Sequence, residues 1–219
     1  MHDSRMEVRL DHIVVAARTL AEGAQWLEER LGVPLSAGGR HEVMGTHNRL
    51  LSLGPGRYLE LIAVDPEASP PARPRWFDLD APAMQRRLEM GPALITWAVR
   101  ADDIEAVLGP TAAGRPEVLP MARGAYRWRI GVPPSGALAQ AGTLATVIQW
   151  QSAHPAAALP DCGCRLEKLW LHHPDAPVSL RALRAVGLDA AEPVEARSDG
   201  PEGLSALIST PRGVAEIHG

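Results

Sequence analysis

The sequence predicts an α+β fold, built of tandem βαβββ modules whose strands curl into mixed sheets, with a third module-like copy at the C-terminus. Two observations predict it. A strand leads into a short helix and then into more strands three times over. Each series closes on a strand with an acidic or amide residue among apolar neighbours: Tyr58-Leu59-Glu60-Leu61-Ile62, Val147-Ile148-Gln149-Trp150 and Val214-Ala215-Glu216-Ile217. Between the copies, residues 65–75 and 156–163 are rich in Pro and Ala and read as linkers. One such unit cannot bury its own apolar face, so it must pair with another. Pairing leaves a concave cavity lined by inward-facing strand residues. The expected boundaries are 7–64 for the first module, 65–92 for a linker and helix, and 93–155 for the second module. A second linker follows at 156–164, and the third copy occupies 165–219.

Residues 8–16 hold the β-branched run Ile13-Val14-Val15 and are bounded by polar residues, so they read as a strand. Thr19 and Glu22 have the spacing of a capping box, and Trp26, Leu27 and Leu31 recur at helical spacing before Gly32. Residues 34–37 make a short strand that Gly38-Gly39 breaks. Residues 38–48 then read as one polar, Gly-bearing loop in which His41 is exposed. Strands follow at 49–53 and 58–64, separated by the turn Gly54-Pro55-Gly56-Arg57. Residues 76–90 are partly helical and pack over the junction. In the second copy a strand near Leu94 to Val99 precedes a helix at 104–108, and strands follow at 117–122, 126–132 and 143–151. The third copy opens with Leu166 to Leu171. It continues with a helix at 179–186 ended by Gly187, and strands at 193–197, 204–209 and 213–218.

At 219 residues the chain is long enough for a substantial core, and its 46% hydrophobic and 22% charged residues are ordinary for a soluble globular protein. A net charge of −4 with no basic run argues against nucleic-acid binding. No apolar segment approaches a membrane span. The start, Met1 to Glu7, lacks the apolar core of a signal peptide, so a cytoplasmic location is the default. Cys162 and Cys164 are too close for a disulfide. They read as reduced thiols in a turn, with a zinc site completed by His172 and His173 as the less favoured alternative. There is no Gly-x-Ser-x-Gly elbow and no phosphate or dinucleotide loop.

The duplicated order of one strand, a helix and three strands resembles the vicinal oxygen chelate superfamily, which includes glyoxalases, extradiol dioxygenases and bleomycin-resistance proteins. Leu10-Asp11-His12-Ile13-Val14-Val15 looks like its first ligand-bearing strand, and Tyr58-Leu59-Glu60-Leu61-Ile62-Ala63 looks like the strand that supplies a glutamate. More narrowly, three segments resemble the bacterial glyoxalase-like domain family over residues 10 to about 187. They are Gly45-Thr46-His47-Asn48-Arg49-Leu50, Tyr58-Leu59-Glu60-Leu61-Ile62, and Ile148-Gln149-Trp150 with His154-Pro155 beyond it. The resemblance implies a half-barrel cup with a site on its inward faces, while fold and chemistry separate widely in such superfamilies.

His12 shares strand parity with Leu10 and Val14, and Glu60 with Tyr58 and Ile62. On the resemblance, His12 and Glu60 hold one divalent cation of the Zn, Ni, Mn, Fe or Co group, about 3–5 Å apart. The other reading is a strand histidine hydrogen-bonded to a carboxylate. The second copy offers only Thr96 and Gln149 where the superfamily has ligands, and the third offers Lys168 and Glu216, leaving a weak metal or none. A slip of one residue in the second copy would turn each of its side chains to the other face. The catalytic candidates are Glu60, as base or ligand, and His47 as an acid–base group. Asn48, Trp97, Gln149 and Trp150 are the substrate-binding candidates, with Gln149 on the floor. Lys168 is expected to pair with Glu216, and the third copy to serve packing or dimerisation, so a homodimer is compatible with the pattern. The implied function is lyase or isomerase chemistry on a small carbonyl or hydroxy-acid metabolite. The rival is a non-catalytic binding protein of the bleomycin-resistance type.

Overall fold

The first strand, β1 (Val8–Ala16), is buried on both faces and leads through Thr19 into α1 (Leu20–Leu31). Thr19 Oγ1 accepts the Glu22 N–H at 3.1 Å, and Gly32, at φ 72°, ends the helix with its N–H on the Glu28 carbonyl. The computed structural model describes residues 7–109, 111 and 114–219. The expectation for Met1 to Met6 therefore lies outside the described residues. Strands β2 (Ser36–His41), β3 (Thr46–Ser52) and β4 (Tyr58–Val64) complete the first unit, and α2 (Pro82–Glu89) leads on to β5 (Ala93–Ala101). The second unit continues with α3 (Ile104–Val107), β6 (Glu117–Arg123), β7 (Tyr126–Val132) and β8 (Thr146–Trp150).

These strands form one eight-stranded sheet in the order β2-β3-β4-β1-β5-β8-β7-β6. In each unit the first strand pairs in parallel with the last, β1 with β4 and β5 with β8. The antiparallel pair β1–β5 joins the units. The sheet curls until its two edge strands, β2 and β6, touch. Alternation then sorts the side chains. Leu59, Leu61, Trp97 and Val99 form a convex-face core with Leu27 and Leu31 of α1. Val14, Ile62, Ile95, Trp128, Ile130 and Ile148 belong to a second cluster on the concave face, closed by Trp76, Phe77, Leu79 and α2.

Residues 38–48 are not a loop. They are the end of β2, a turn, and the start of β3. Gly38-Gly39 sits at a register shift between Ala37 and Arg40, which makes it a bulge inside the strand rather than a break. A Cβ on Gly38 would lie 2.2 Å from the Asn48 carbonyl oxygen, so glycine is required there by close approach of β3.

The C-terminal segment contains β9 (Arg165–His172), α4 (Ala176–Ala185), β10 (Val194–Arg197), β11 (Gly203–Thr210) and β12 (Gly213–His218). Its sheet runs β10-β9-β11-β12, an order different from that of the two units of the large sheet. The strand after α4 returns directly beside β9 in parallel. Lys168 consequently pairs with Glu195 of β10 rather than with Glu216, which lies on the edge strand beyond β11. One face of this sheet, with Leu169, Leu171, Ala206, Ile208 and Ile217, joins the same core as Leu10 and Trp97. Both cysteines are free, and Cys164 is buried in that core. His172 instead meets Ser205 Oγ at 3.1 Å. No helix of the described residues is long and apolar enough to cross a membrane.

Candidate functional site

The cup is furnished by a β-bulge in β1. Its pairing with β5 shifts between Leu10 and His12, with Asp11 as the extra residue. A bulge breaks strict alternation and re-aims side chains. Leu10 therefore faces the convex core, while His12 faces the concave side together with Val14. The parity expected between Leu10 and His12 fails here for that reason. The bulge also lets two neighbours in sequence meet, since Asp11 Oδ1 lies 2.7 Å from His12 Nδ1.

Asp11 is fully buried, and its other oxygen accepts from Trp150 Nε1 at 2.9 Å and meets His154 Nε2 at 2.9 Å. Burial works against its charge. The hydrogen bonds from His12 and His154 outweigh that and hold its carboxyl well below the usual range. His154 Nδ1 accepts the Ala156 N–H at 3.2 Å, so its Nε2 carries the hydrogen given to Asp11. His12 likewise donates from Nδ1 to the carboxylate, which turns Nε2 toward Glu60. The His12 ring stacks on Tyr58, with centroids 4.6 Å apart, and its Nε2 is 3.6 Å from Glu60 Oε2. Burial first, then the Asp11 and Glu60 charges, push the Tyr58 phenol well above its usual value, so it stays protonated.

Asn48 organises the opposite wall. Its Nδ2 donates to Glu60 Oε1 at 2.5 Å and lies 3.3 Å from His41 Nε2. Its Oδ1 accepts from the Gly39 N–H at 2.9 Å and from Arg123 Nη1 at 2.7 Å. Both faces of the amide are thus used, which fixes its orientation. Arg123 comes from β6 and crosses to β3 over Gly39, where a Cβ would lie 2.7 Å from Arg123 Cδ. The second glycine of the pair therefore admits the side chain that ties the two edges of the cup together.

His41 is buried against Trp76 and Trp128, and its Nδ1 meets Thr46 Oγ1 at 3.0 Å. Burial, opposed by Glu60 and reinforced by Arg123, lowers it from 6.5 to about 4. The ring is therefore neutral at pH 7, with Nε2 accepting from Asn48. This has a consequence for stability. Between pH 6.5 and 4 the unfolded chain binds a proton that the native ring does not, so stability falls as pH falls through that window. Urea unfolding at pH 7 and pH 4.5 should show wild type losing about 2–3 kcal/mol more than His41→Gln. Equal losses would contradict a neutral buried ring.

Trp76 and Phe77 stack on each other and cover the cup. Phe77 and Asp78 both hold left-handed backbone, with φ 62° and 56°. Such strain is about 1–2 kcal/mol per residue and persists only where the surroundings enforce it. Here the turn is bonded to the second unit, since Asp78 Oδ2 accepts the Leu138 N–H at 2.7 Å and the Asp78 N–H reaches the Gly136 carbonyl at 3.0 Å. The enclosed cavity is about 30 Å³, the space of one or two waters. His41 also forms one wall of an outer groove of about 500 Å³.

The sequence matches the model of the glyoxalase-like domain over residues 10–187. The chain belongs to the glyoxalase-like domain family. Among solved structures, a hypothetical protein from Staphylococcus aureus is similar at 16% identity and a TM-score of 0.57, covering 97% of this chain and 86% of that one. Methylmalonyl-CoA epimerase from Mycobacterium tuberculosis is similar at 17% identity and a TM-score of 0.37, covering 68% and 91%. No curated protein matches the sequence. The curled eight-stranded sheet is of the vicinal oxygen chelate type.

Of the residues marked on the glyoxalase-like pattern, the structure brings His12, Asn48, Glu60 and Trp150 around one cavity. Three others lie elsewhere. His47 alternates with Thr46 and Asn48 and turns to the other face of β3, where its Nε2 is buried without a partner among the described residues. Trp97 is fully buried in the convex core and donates to the Thr143 carbonyl at 2.8 Å. Gln149 faces outward, accepting from Arg129 and donating to the Asp102 carbonyl. The physical reason is register. His12 pairs across β1–β5 with Ala98, and the parallel pairing that sets Glu60 beside Val14 sets Ile148 beside Arg100. Ala98 and Ile148 thus hold the second-unit positions that Thr96 and Gln149 are expected to hold. Neither can bind a cation, so the residues present do not fit a four-ligand metal. Among the described residues no group of three His, Cys, Asp or Glu is arranged to hold one.

His41, Trp76 and Arg123 line the cavity without being marked by the sequence, and Trp128 of the second unit lines it too. His41 becomes legible only if Gly38-Gly39 is read as a bulge within a strand. Arg123, at the end of β6, carries no local signal at all.

Proposed function

We propose that this glyoxalase-like protein is an isomerase or lyase that moves a proton on a small carbonyl or hydroxy-acid metabolite, with Glu60 as the base. The observation that carries this reading is the facing pair of Glu60 Oε2 and His12 Nε2, 3.6 Å apart and buried, each held from behind by other side chains. Asn48 fixes Glu60, and Asp11 fixes the tautomer of His12. That is the arrangement of a base and an oriented partner required for general acid–base work. Glu60 takes a proton from the carbon beside a carbonyl and returns it to the neighbouring carbon, while His12 Nε2 accepts the proton of the adjacent hydroxyl and passes it to the former carbonyl oxygen. Trp76, Phe77 and Trp128 exclude water from the exchange. The reading routes no step through a metal, because the second unit presents Ala98 and Ile148. The small cavity weighs against sequestration of a bulky compound, since drug-sized ligands occupy about 300–1,000 Å³.

The test is proton exchange. Short 2-hydroxy and 2-oxo acids, aldehydes and ketones are incubated with the protein in deuterium oxide and followed by NMR. The reading expects deuterium at the carbon beside the carbonyl for at least one compound, at a rate that Glu60→Gln lowers. Exchange that survives in Glu60→Gln would place the base elsewhere.

A further inference from the structure

Among the described residues, two donors at the cavity are unpaired or only partly paired. Among the described residues Arg123 forms no ion pair with a carboxylate, and it is the one arginine that lines the cavity. Among the described residues one of its five N–H groups is used, on the neutral Asn48 amide. Its guanidinium is further positioned over the Tyr126 ring, 5.5 Å from the centroid. Trp76, 3% exposed, also lines the cavity, and its Nε1–H finds no acceptor among the described residues. A buried N–H left unpaired costs about 1–3 kcal/mol, so a structure that keeps one beside a cavity has an acceptor to supply from outside. Of the remaining wall, Phe77, Ile130 and Ile148 offer an oxygen nothing.

We propose that the cup receives the carboxylate end of a small 2-hydroxy or 2-oxo acid, with Arg123 binding the carboxylate and the Trp76 indole N–H binding the neighbouring oxygen. This rests on the reading of Glu60 and His12 as the reacting pair and names the substrate class for it. The chemistry is consistent in three respects. A guanidinium presents a planar fork that matches a carboxylate. Its charge offsets the repulsion an anion would otherwise meet from Glu60, two bonds away through Asn48. The cavity, about 30 Å³ beneath Trp76 and Phe77, is too small for a large ring. A neutral aldehyde or ketone leaves Arg123 unused.

The test compares acids with their neutral amides. Glycolate and pyruvate, and glycolamide and pyruvamide, are titrated into the protein with saturation-transfer NMR and calorimetry as readouts. The acids are expected to bind at least tenfold more tightly than the amides. Arg123→Gln should erase that preference, and Arg123→Lys should keep part of it, because the charge remains and the fork is lost. Trp76→Phe should weaken acid and amide alike by several-fold, since its donor serves the shared oxygen. Near-ultraviolet circular dichroism checks that each variant is folded. If Arg123→Gln does not fold, the acid–amide comparison on wild type and Arg123→Lys decides alone. Equal binding of acids and amides, no binding of either acid, or acid binding untouched by Arg123→Gln would each overturn the proposal. Acid binding without deuterium exchange would sink the Glu60 reading and leave this one standing. Exchange on the amides as fast as on the acids would do the reverse.

Discussion

Truncation after Pro160 is expected to leave a chain that does not fold cooperatively, although it removes no side chain that lines the cup. The deleted sheet covers the convex face of the large one. Leu169, Leu171, Leu188, Ala206, Ile208 and Ile217 share one buried cluster with Leu10, Leu94, Trp97 and Val99. Each large apolar side chain so buried is worth roughly 1.5–3 kcal/mol, against a net stability of about 5–15 kcal/mol for a whole domain. Losing the cover also strips polar ties. Arg57, in the turn before the strand that carries Glu60, pairs at 2.5 Å with the buried Glu192. The Val8 N–H bonds to the Gly187 carbonyl. Thermal unfolding with dye binding measures the outcome. The expectation is no cooperative transition and strong binding of a hydrophobic dye. A soluble fragment with a native near-ultraviolet spectrum and a sharp transition would show that the C-terminal segment is an accessory.

Glu60→Gln should lower the exchange rate by about 10²–10⁴-fold, the range that a positioned base contributes. The variant keeps the shape and the acceptor for Asn48, so binding of the acids should change little by comparison. His12→Gln should cost less on carbon exchange, because His12 acts at the neighbouring oxygen. The contrast between the two variants is read from one set of NMR time courses. A Glu60→Gln protein with unchanged rate and reduced affinity would make Glu60 a binding group.

The order of elements was legible because each carries its own local signal. Thr19 caps α1, Gly32 ends it, and the run from Val8 to Ala16 has no helical period. His12 and Glu60 were legible because their neighbours mark the strands. What was not legible depended on register. The bulge at Asp11 reverses the face of Leu10 relative to His12, and nothing in Leu10-Asp11-His12 announces it. Gly38-Gly39 has the composition of a break and the geometry of a bulge, so the composition alone hides that His41 lies on a strand. Gln149 resembles Glu60 by position in its motif, yet one residue of register puts Ile148 inside and Gln149 out. Arg123 reaches the site only because the two sheet edges meet, a contact 75 residues distant from Asn48 in the chain. The C-terminal segment repeats the order of elements without repeating the strand pairing, and pairing of distant strands is set by the core they cover rather than by local sequence.

The central claim is that the cup is a proton-transfer site of Asp11, His12, Asn48 and Glu60, whose second unit supplies no cation ligand. Metal analysis of protein purified without a polyhistidine tag, followed by thermal unfolding with Zn, Ni, Mn, Fe and Co titrated in, tests it most directly, because a cation bound only by the native state raises Tm. The account predicts well under one metal per chain and no rise in Tm that depends on His12. One metal per chain, stabilising the protein and lost on His12→Ala or Glu60→Ala, would contradict it.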